Sequence, residues 1–285
     1  MISYFSKLAL FSFIEKFRIL KFTIGSRLIN KVPIGIKNSY LLTNRLLKLD
    51  IKVDRINETI RFNYLVNGFK QSFYLKRNSS DSQVFEQIIE KNEYIPIIEI
   101  FKEKKIIPTR MIDAGANIGL TCLYFKSYFP DLLITALEPS EDTFSRLEKN
   151  IVNNKLSGVN YLKKGLWSSI TRLKADSSFR DGQDWSFRLI EAKSNEEALF
   201  ETTTIEELIN DFNIETIDFL KIDIEGGEEE LFGDFSQINW LEKVRVIALE
   251  IHDEFDCREH IESNLEKLFT LSHSGDLTIG INKKI

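Results

Sequence analysis

Between Met111 and Ser140 the chain reads MIDAGANIGLTCLYFKSYFPDLLITALEPS. The pattern is an apolar strand ending in Asp113, a glycine turn through Gly115 and Gly119, a helix to Phe129 and a second apolar strand ending in Glu138. This order is half of a mononucleotide-binding βαβ unit and predicts an α/β fold built on a mostly parallel sheet. Glycines in such a turn let the backbone approach a ligand with no Cβ in the way, and the helix N-terminus offers unpaired N–H groups to an anionic part of it. Glu138 follows Asp113 by 25 residues, at the end of the next strand, where its carboxylate can accept both hydroxyls of a ribose. A nucleoside is therefore the expected ligand.

The spelling of the turn narrows the choice. Dinucleotide enzymes use G-x-G-x-x-G, whereas Asn117 occupies the middle position here and argues against a pyrophosphate. Asp113, just before the turn, suits an ammonium or sulfonium cation better than two phosphates. S-Adenosylmethionine carries both cations. The candidate cofactor residues are Asp113, Gly115, Asn117, Gly119 and Glu138, with Gly165 and Leu166 beside the adenine where the chain leaves a third strand, Val159 to Lys163. Trp167 reads equally well as core packing.

Two further strands end in polar residues. Ile217 to Ile222 leads to Asp223 and Glu225, then to Gly226, Gly227 and a helix begun by three glutamates; Val244 to Ile251 leads to Glu250, His252 and Asp253. In an open parallel sheet, ligands sit outside the carboxyl ends of the strands, so these groups are expected to converge. The candidate catalytic residues are His252, Asp223, Glu225 and Glu250, with His252 or Asp223 as general base and the others orienting the acceptor. Lys221 is expected to pair with one of these acids. Asp223 and Glu225 could instead hold a divalent cation, but two acids without a third ligand assign no metal site.

The rest of the chain divides by pattern. Residues 1–50 form a basic segment, 51–105 an accessory lobe of two or three antiparallel strands with an Asn67-Gly68 hairpin turn followed by a helix, and 106–285 the nucleotide-binding domain. Alternating stretches within 168–204 predict a β-rich insert shaping the acceptor pocket. A helix through Ile261, Leu265 and Leu268 follows the last polar cluster, and the terminal LTIGI reads as an edge strand.

Charge separates the segments. Nine Lys/Arg against Glu15 and Asp50 put the first fifty residues at +7, which, from a net charge of −5, leaves −12 on the remainder. An acidic body excludes a phosphate-binding face, so no nucleic-acid partner is expected. Phe13, Phe17, Leu20 and Ile24 recur at helical spacing among the basic residues 1–31. That stripe suits either peripheral membrane contact or packing against the domain or a second subunit, and packing is favoured. Cys122 and Cys257 have neither metal-ligand nor disulfide spacing, and no uncharged run exceeds the twelve residues Ala114 to Phe125. Together with the missing signal-peptide pattern, this predicts a cytoplasmic protein, with membrane-peripheral attachment through residues 1–31 as the variant.

Taken together, DAGANIG at 113–119, LEPS at 137–140, LKIDIEGGEEEL at 220–231 and LEIH at 249–252 resemble the FkbM-type family of S-adenosylmethionine-dependent methyltransferases. The lead-in LKRNSSDSQVFEQIIEKNEY also looks like that family, while the first fifty residues and the insert lie outside the likeness. The resemblance implies a doubly wound, mostly parallel seven-stranded Rossmann-like methyltransferase sheet with an N-terminal accessory lobe. Asp113, Gly115, Asn117 and Gly119 would surround the methionine part and Glu138 would hold the ribose. It further implies methylation of a hydroxyl on a sugar, glycan or secondary metabolite, so the expected partner is a small-molecule or glycan acceptor. The competing readings are an NAD-dependent oxidoreductase, which the turn disfavours, and a non-catalytic scaffold of the same fold, which the polar strand ends disfavour.

Overall fold

The computed structural model describes residues 34–175, 189–193, 195–224, 226–253 and 256–285, which fall into two compact units. One unit comprises the chain to Glu93 together with Lys149–Lys155; the other comprises Tyr94–Glu148 and Leu156–Ile285. Residues 1–31, with the expected amphipathic helix, lie outside the described residues.

In the first unit, α1 (Ile34–Lys48) precedes an antiparallel meander of β1 (Val53–Ile56), β2 (Thr59–Val66) and β3 (Phe69–Lys76). α2 (Asp81–Phe85) follows and runs on as a π-helical turn through Glu90. Asn67 and Gly68 both take positive φ, 49° and 80°, as the expected two-residue hairpin turn requires. Alternate residues of the strands face inward: Ile60, Phe62, Phe73 and Leu75 are buried, and Phe62 stacks on Phe73 at 5.6 Å with Phe85 edge-on to both. The outer backbone of β3 is satisfied by two asparagine amides. Asn150 exchanges hydrogen bonds with Tyr74 and Asn154 with Ser72, which occupies an edge that would otherwise pair with another chain. Pro33 and Gly35 are residue types that predict a break at this point, whereas the chain enters α1 there. Gly35 lies inside this helix for a different reason: a Cβ there would come within 2.5 Å of the Asn78 carbonyl, so glycine marks a close approach of backbones.

The second unit carries a seven-stranded sheet in the order β13-β14-β12-β11-β4-β5-β6. Its strands are β4 (Arg110–Ala114), β5 (Leu133–Leu137), β6 (Val159–Leu162), β11 (Ile217–Ile222), β12 (Val244–Glu250), β13 (Phe269–Ser274) and β14 (Leu277–Asn282). The five from β12 to β6 are mutually parallel, and β14 runs antiparallel to both its neighbours, β12 and β13. Alternation along the central strands feeds both faces. Ile112, Ala114, Leu220 and Ile222 join one core with residues of α6 (Ile205–Asp211), α7 (Glu228–Phe232) and α8 (Arg258–Leu265). Phe219 points the other way, 6.4 Å from Phe101 of α3 (Ile95–Glu103) and 4.8 Å from Phe125 of α4 (Leu120–Tyr128). Helices thus cover both faces, which is the doubly wound arrangement expected.

The C-terminus departs from expectation. LTIGI lies in β14, inside the sheet between β12 and β13, and β13 forms the edge. The polar alternation of FTLSHS hides that edge strand, and α8 stops at Leu265, so Leu268 lies beyond the helix. Within the described residues of the insert, β8 (Arg172–Ala175), β9 (Leu189–Glu191) and β10 (Phe200–Thr203) join β7 (Gly165–Leu166), which precedes it, in a second sheet of order β7-β10-β8-β9.

Candidate active site

Strand order reverses between β4 and β11, so the loops after these strands open the crevice in which an α/β sheet binds its ligand. The loop after β4 alternates handedness, with φ of 76° at Gly115, 50° at Asn117 and 78° at Gly119. At Gly115 the reason is steric as well as conformational. A Cβ there would lie 1.7 Å from the carbonyl oxygen of Asp223, so the close approach is to the end of β11 itself. Leu137 O accepts the N–H groups of both Gly115, at 3.0 Å, and Ala116, at 2.8 Å, which ties the turn to the end of β5.

Glu138 stands just past β5. Its Oε2 accepts the Asn117 N–H at 3.0 Å and its Oε1 the Ser140 N–H at 2.9 Å. Burial pushes its pKa above the ordinary glutamate value, against the pull of these two backbone bonds. A carboxylate offers about four lone-pair sites, so two stay available to hydroxyl donors, and the side chain is fixed rather than wandering.

Asp113 plays a different part from the one expected. Its carboxylate is wholly buried, and the ammonium it faces belongs to the chain: Lys221, its register partner on β11, places Nζ 3.6 Å from Oδ1. That distance makes an ion pair but no hydrogen bond, and Oδ1 has no hydrogen-bond partner. Cys122 Sγ lies 3.6 Å from the other oxygen. Burial raises the Asp113 pKa against the attraction of Lys221. Lys221 itself donates to Gly115 O at 2.6 Å and to Asp223 Oδ2 at 3.3 Å. Although burial opposes its charge, Asp223, Tyr94 and Asp113 together raise its pKa and hold it protonated. Asp113 therefore anchors the lysine that braces the glycine turn and does not face the crevice.

Gly165 and Leu166 also differ from expectation. Both are buried in β7, paired with Thr202 and Thr203 of β10; Leu166 packs in the core, and a Cβ at Gly165 would strike the Phe200 ring at 2.7 Å. Pairing of the insert with this stretch, which sequence cannot show, removes both side-chain positions from any adenine-facing surface.

At the ends of β11 and β12, Asp223, Glu250 and His252 converge, one ligand atom of each lying within 4.8 Å of the others. Glu225 lies outside the described residues. Behind His252 stands a residue that sequence reading used only as a helix-start charge: Glu228, with no solvent exposure, places Oε1 2.8 Å from Nδ1 of His252. Its position after two glycines on the strand-to-helix turn was the available signal. Apart from this cluster, a cleft of about 220 Å³ in the same unit is walled by Trp167, Trp240, Thr204, Glu206 and Glu230.

Residues 113–270 match the methyltransferase FkbM domain. The chain belongs to the FkbM methyltransferase family. This membership sets aside the NAD-dependent oxidoreductase and makes the protein, by family and fold, an S-adenosylmethionine-dependent methyltransferase. Among curated proteins, it is 29% identical over 187 residues to the methyltransferase sdnD of Sordaria araneosa, covering 55% of this chain and 71% of that one. It is 28% identical over 149 residues to Methyltransferase 1 of Beauveria bassiana, covering 46% and 59%. The crystal structure of methyltransferase FkbM from Methylobacillus flagellatus KT aligns at 18% identity and a TM-score of 0.39, over 61% of this chain and 43% of that chain. The residues of this chain fit the cofactor its family uses: Glu138 keeps acceptor sites for a ribose, and Gly115 and Asn117 are partly open at the mouth of the turn.

Proposed function

We propose that this FkbM-family enzyme methylates a hydroxyl oxygen of a sugar, glycan or secondary metabolite. The observation that carries the reading is the convergence of Asp223, Glu250 and His252 at two adjacent strand ends, around the switch point from the Gly115 turn and Glu138. When bound, S-adenosylmethionine supplies a methyl group already made electrophilic by its sulfonium. What the protein adds is alignment and removal of the acceptor's proton. Glu138 would hold the ribose through the lone pairs its backbone partners leave open, with Asn117 and the first turn of α4 lining the remainder. Lys221 fixes the Gly115 carbonyl and the Asp223 carboxylate in one grip, so the cofactor turn and the acceptor rim keep their spacing.

A hydroxyl oxygen must lose its proton as it becomes a nucleophile, and the Asp223, Glu250 and His252 rim is where that loss is assisted. The cleft lined by Trp167, Trp240, Glu206 and Glu230 mixes aromatic side chains with carboxylates that can accept hydrogen bonds from hydroxyls, a character compatible with a hydroxyl-rich acceptor. A small-molecule or glycan substrate handled in the cytoplasm fits this chemistry and the acidic body. No described helix is long and apolar enough to cross a membrane. The test is transfer of isotopically labelled methyl from S-adenosylmethionine to a panel of sugars and hydroxylated metabolites, read by mass spectrometry. Methyl ethers formed by the wild-type protein and lost in Asp223→Asn support the reading; label on nitrogen or carbon alone overturns it.

A further inference from the structure

We infer that Asp223, Glu250 and His252 bind a divalent cation of the Mg²⁺ or Mn²⁺ class. The two carboxylates are the oxygen donors such an ion prefers, the imidazole adds one nitrogen donor, and small rotamer changes bring groups lying within 4.8 Å to the roughly 2.1 Å bonds it takes. Sequence spacing suggested only two acids; the fold supplies His252 from the neighbouring strand as the third ligand.

Glu228 is the independent sign. It is wholly buried, one oxygen is 2.8 Å from Nδ1 of His252, and the other has no hydrogen-bond partner. A carboxylate accepting the Nδ1 proton assigns the lone pair of the neutral ring to Nε2, the arrangement in which histidines ligate metals. Asp223 is equally fixed. Its N–H donates to Ala114 O at 3.1 Å, its carbonyl rests over Gly115, and Lys221 engages Oδ2, which leaves Oδ1 to turn toward an ion. The Lys221 charge beside it is shared with the Gly115 carbonyl and Asp113.

This site rests on the proposed hydroxyl methylation and deepens it, since a hydroxyl bound to the ion gives up its proton to solvent more readily than a free one. The test is titration of the full chain with Mn²⁺, followed by the electron paramagnetic resonance signal of the free ion, with neither cofactor nor acceptor present. One saturable site per chain is expected, displaced by excess Mg²⁺. It should weaken at least about tenfold in Asp223→Asn and in His252→Ala, and by about 10- to 100-fold in Glu228→Gln. Circular dichroism identifies any variant that fails to fold, and the wild-type titration decides by itself. Absence of saturable binding, or binding unchanged in Asp223→Asn, Glu250→Gln and His252→Ala, overturns the site. Mn²⁺ binding without any methyl transfer would overturn the function proposed above and leave the cation site standing. Methyl transfer that survives a chelator, without Mn²⁺ binding, would do the reverse.

Discussion

Nδ1 of His252 is 2.8 Å from Oε1 of Glu228, and that carboxylate has no solvent exposure. Orientation of the imidazole is therefore set from the protein interior. Glu228→Gln keeps the shape of the side chain but can turn an amide N–H toward the ring. Turnover is expected to fall about 10- to 100-fold, the usual cost of losing an outer-shell partner. Steady-state kinetics read it; full activity in Glu228→Gln would make the contact incidental.

Lys221 is the ammonium facing Asp113 in the sheet interior, only 3% exposed itself. Lys221→Met leaves Asp113 buried without its counter-charge, and stability should drop by about 3–5 kcal/mol. Adding Asp113→Asn to the same chain should restore part of that loss, because the stranded charge is then gone. Urea unfolding of the single and double variants measures both. A loss below about 1 kcal/mol in the single variant would show that the pair does not brace the strands.

Gly115 meets two demands at once, a φ of 76° and the carbonyl of Asp223 in the space of its absent Cβ. Gly115→Ala must displace the end of β11, and with it the rim carboxylate. A destabilisation of about 4 kcal/mol or more is expected, in the range reserved for core and backbone faults. Thermal melting checks it, and a near-wild-type midpoint would contradict the packing described.

Burial raises the pKa of Glu138 above that of an unfolded glutamate. Its own contribution to stability is therefore full below the unfolded value and is lost as pH rises through the raised folded value. Ribose hydroxyls donate to the ionised form, so cofactor affinity has the opposite slope. It should decline as pH falls through the raised value, starting above the ordinary glutamate range, and binding there should release a proton. Calorimetry in buffers of different ionisation enthalpy detects that proton, and Glu138→Gln should abolish the dependence.

Much of this was written in local pattern. The run from Met111 to Ser140 specifies strand, turn, helix and strand because periodicity and glycine placement act over a few residues, and Asn67-Gly68 specifies its hairpin for the same reason. What could not be read depends on partners distant in sequence. Asp113 looks like a ligand acid until β11 brings Lys221 beside it, 108 residues later. Gly115 is legible as a turn glycine, but its second reason, the Asp223 carbonyl in the space of a Cβ, exists only once β11 lies beside β4. Leu166 looks open until β10 pairs with it, and Glu228 looks like one of three helix-start charges until His252 is laid over it. β13 was missed because an edge strand with alternating polar residues lacks the apolar run that marks the central strands.

The most direct measurement is a calorimetric titration of the protein with S-adenosylmethionine, wild type beside Glu138→Ala. Hydrogen bonds to a charged group contribute about 1.5–3 kcal/mol each, so the wild type should bind with one site per chain and the variant at least about tenfold more weakly. Equal affinity in the two proteins, with both folded, would contradict the placement of the ribose on Glu138 and the account of the site built on it.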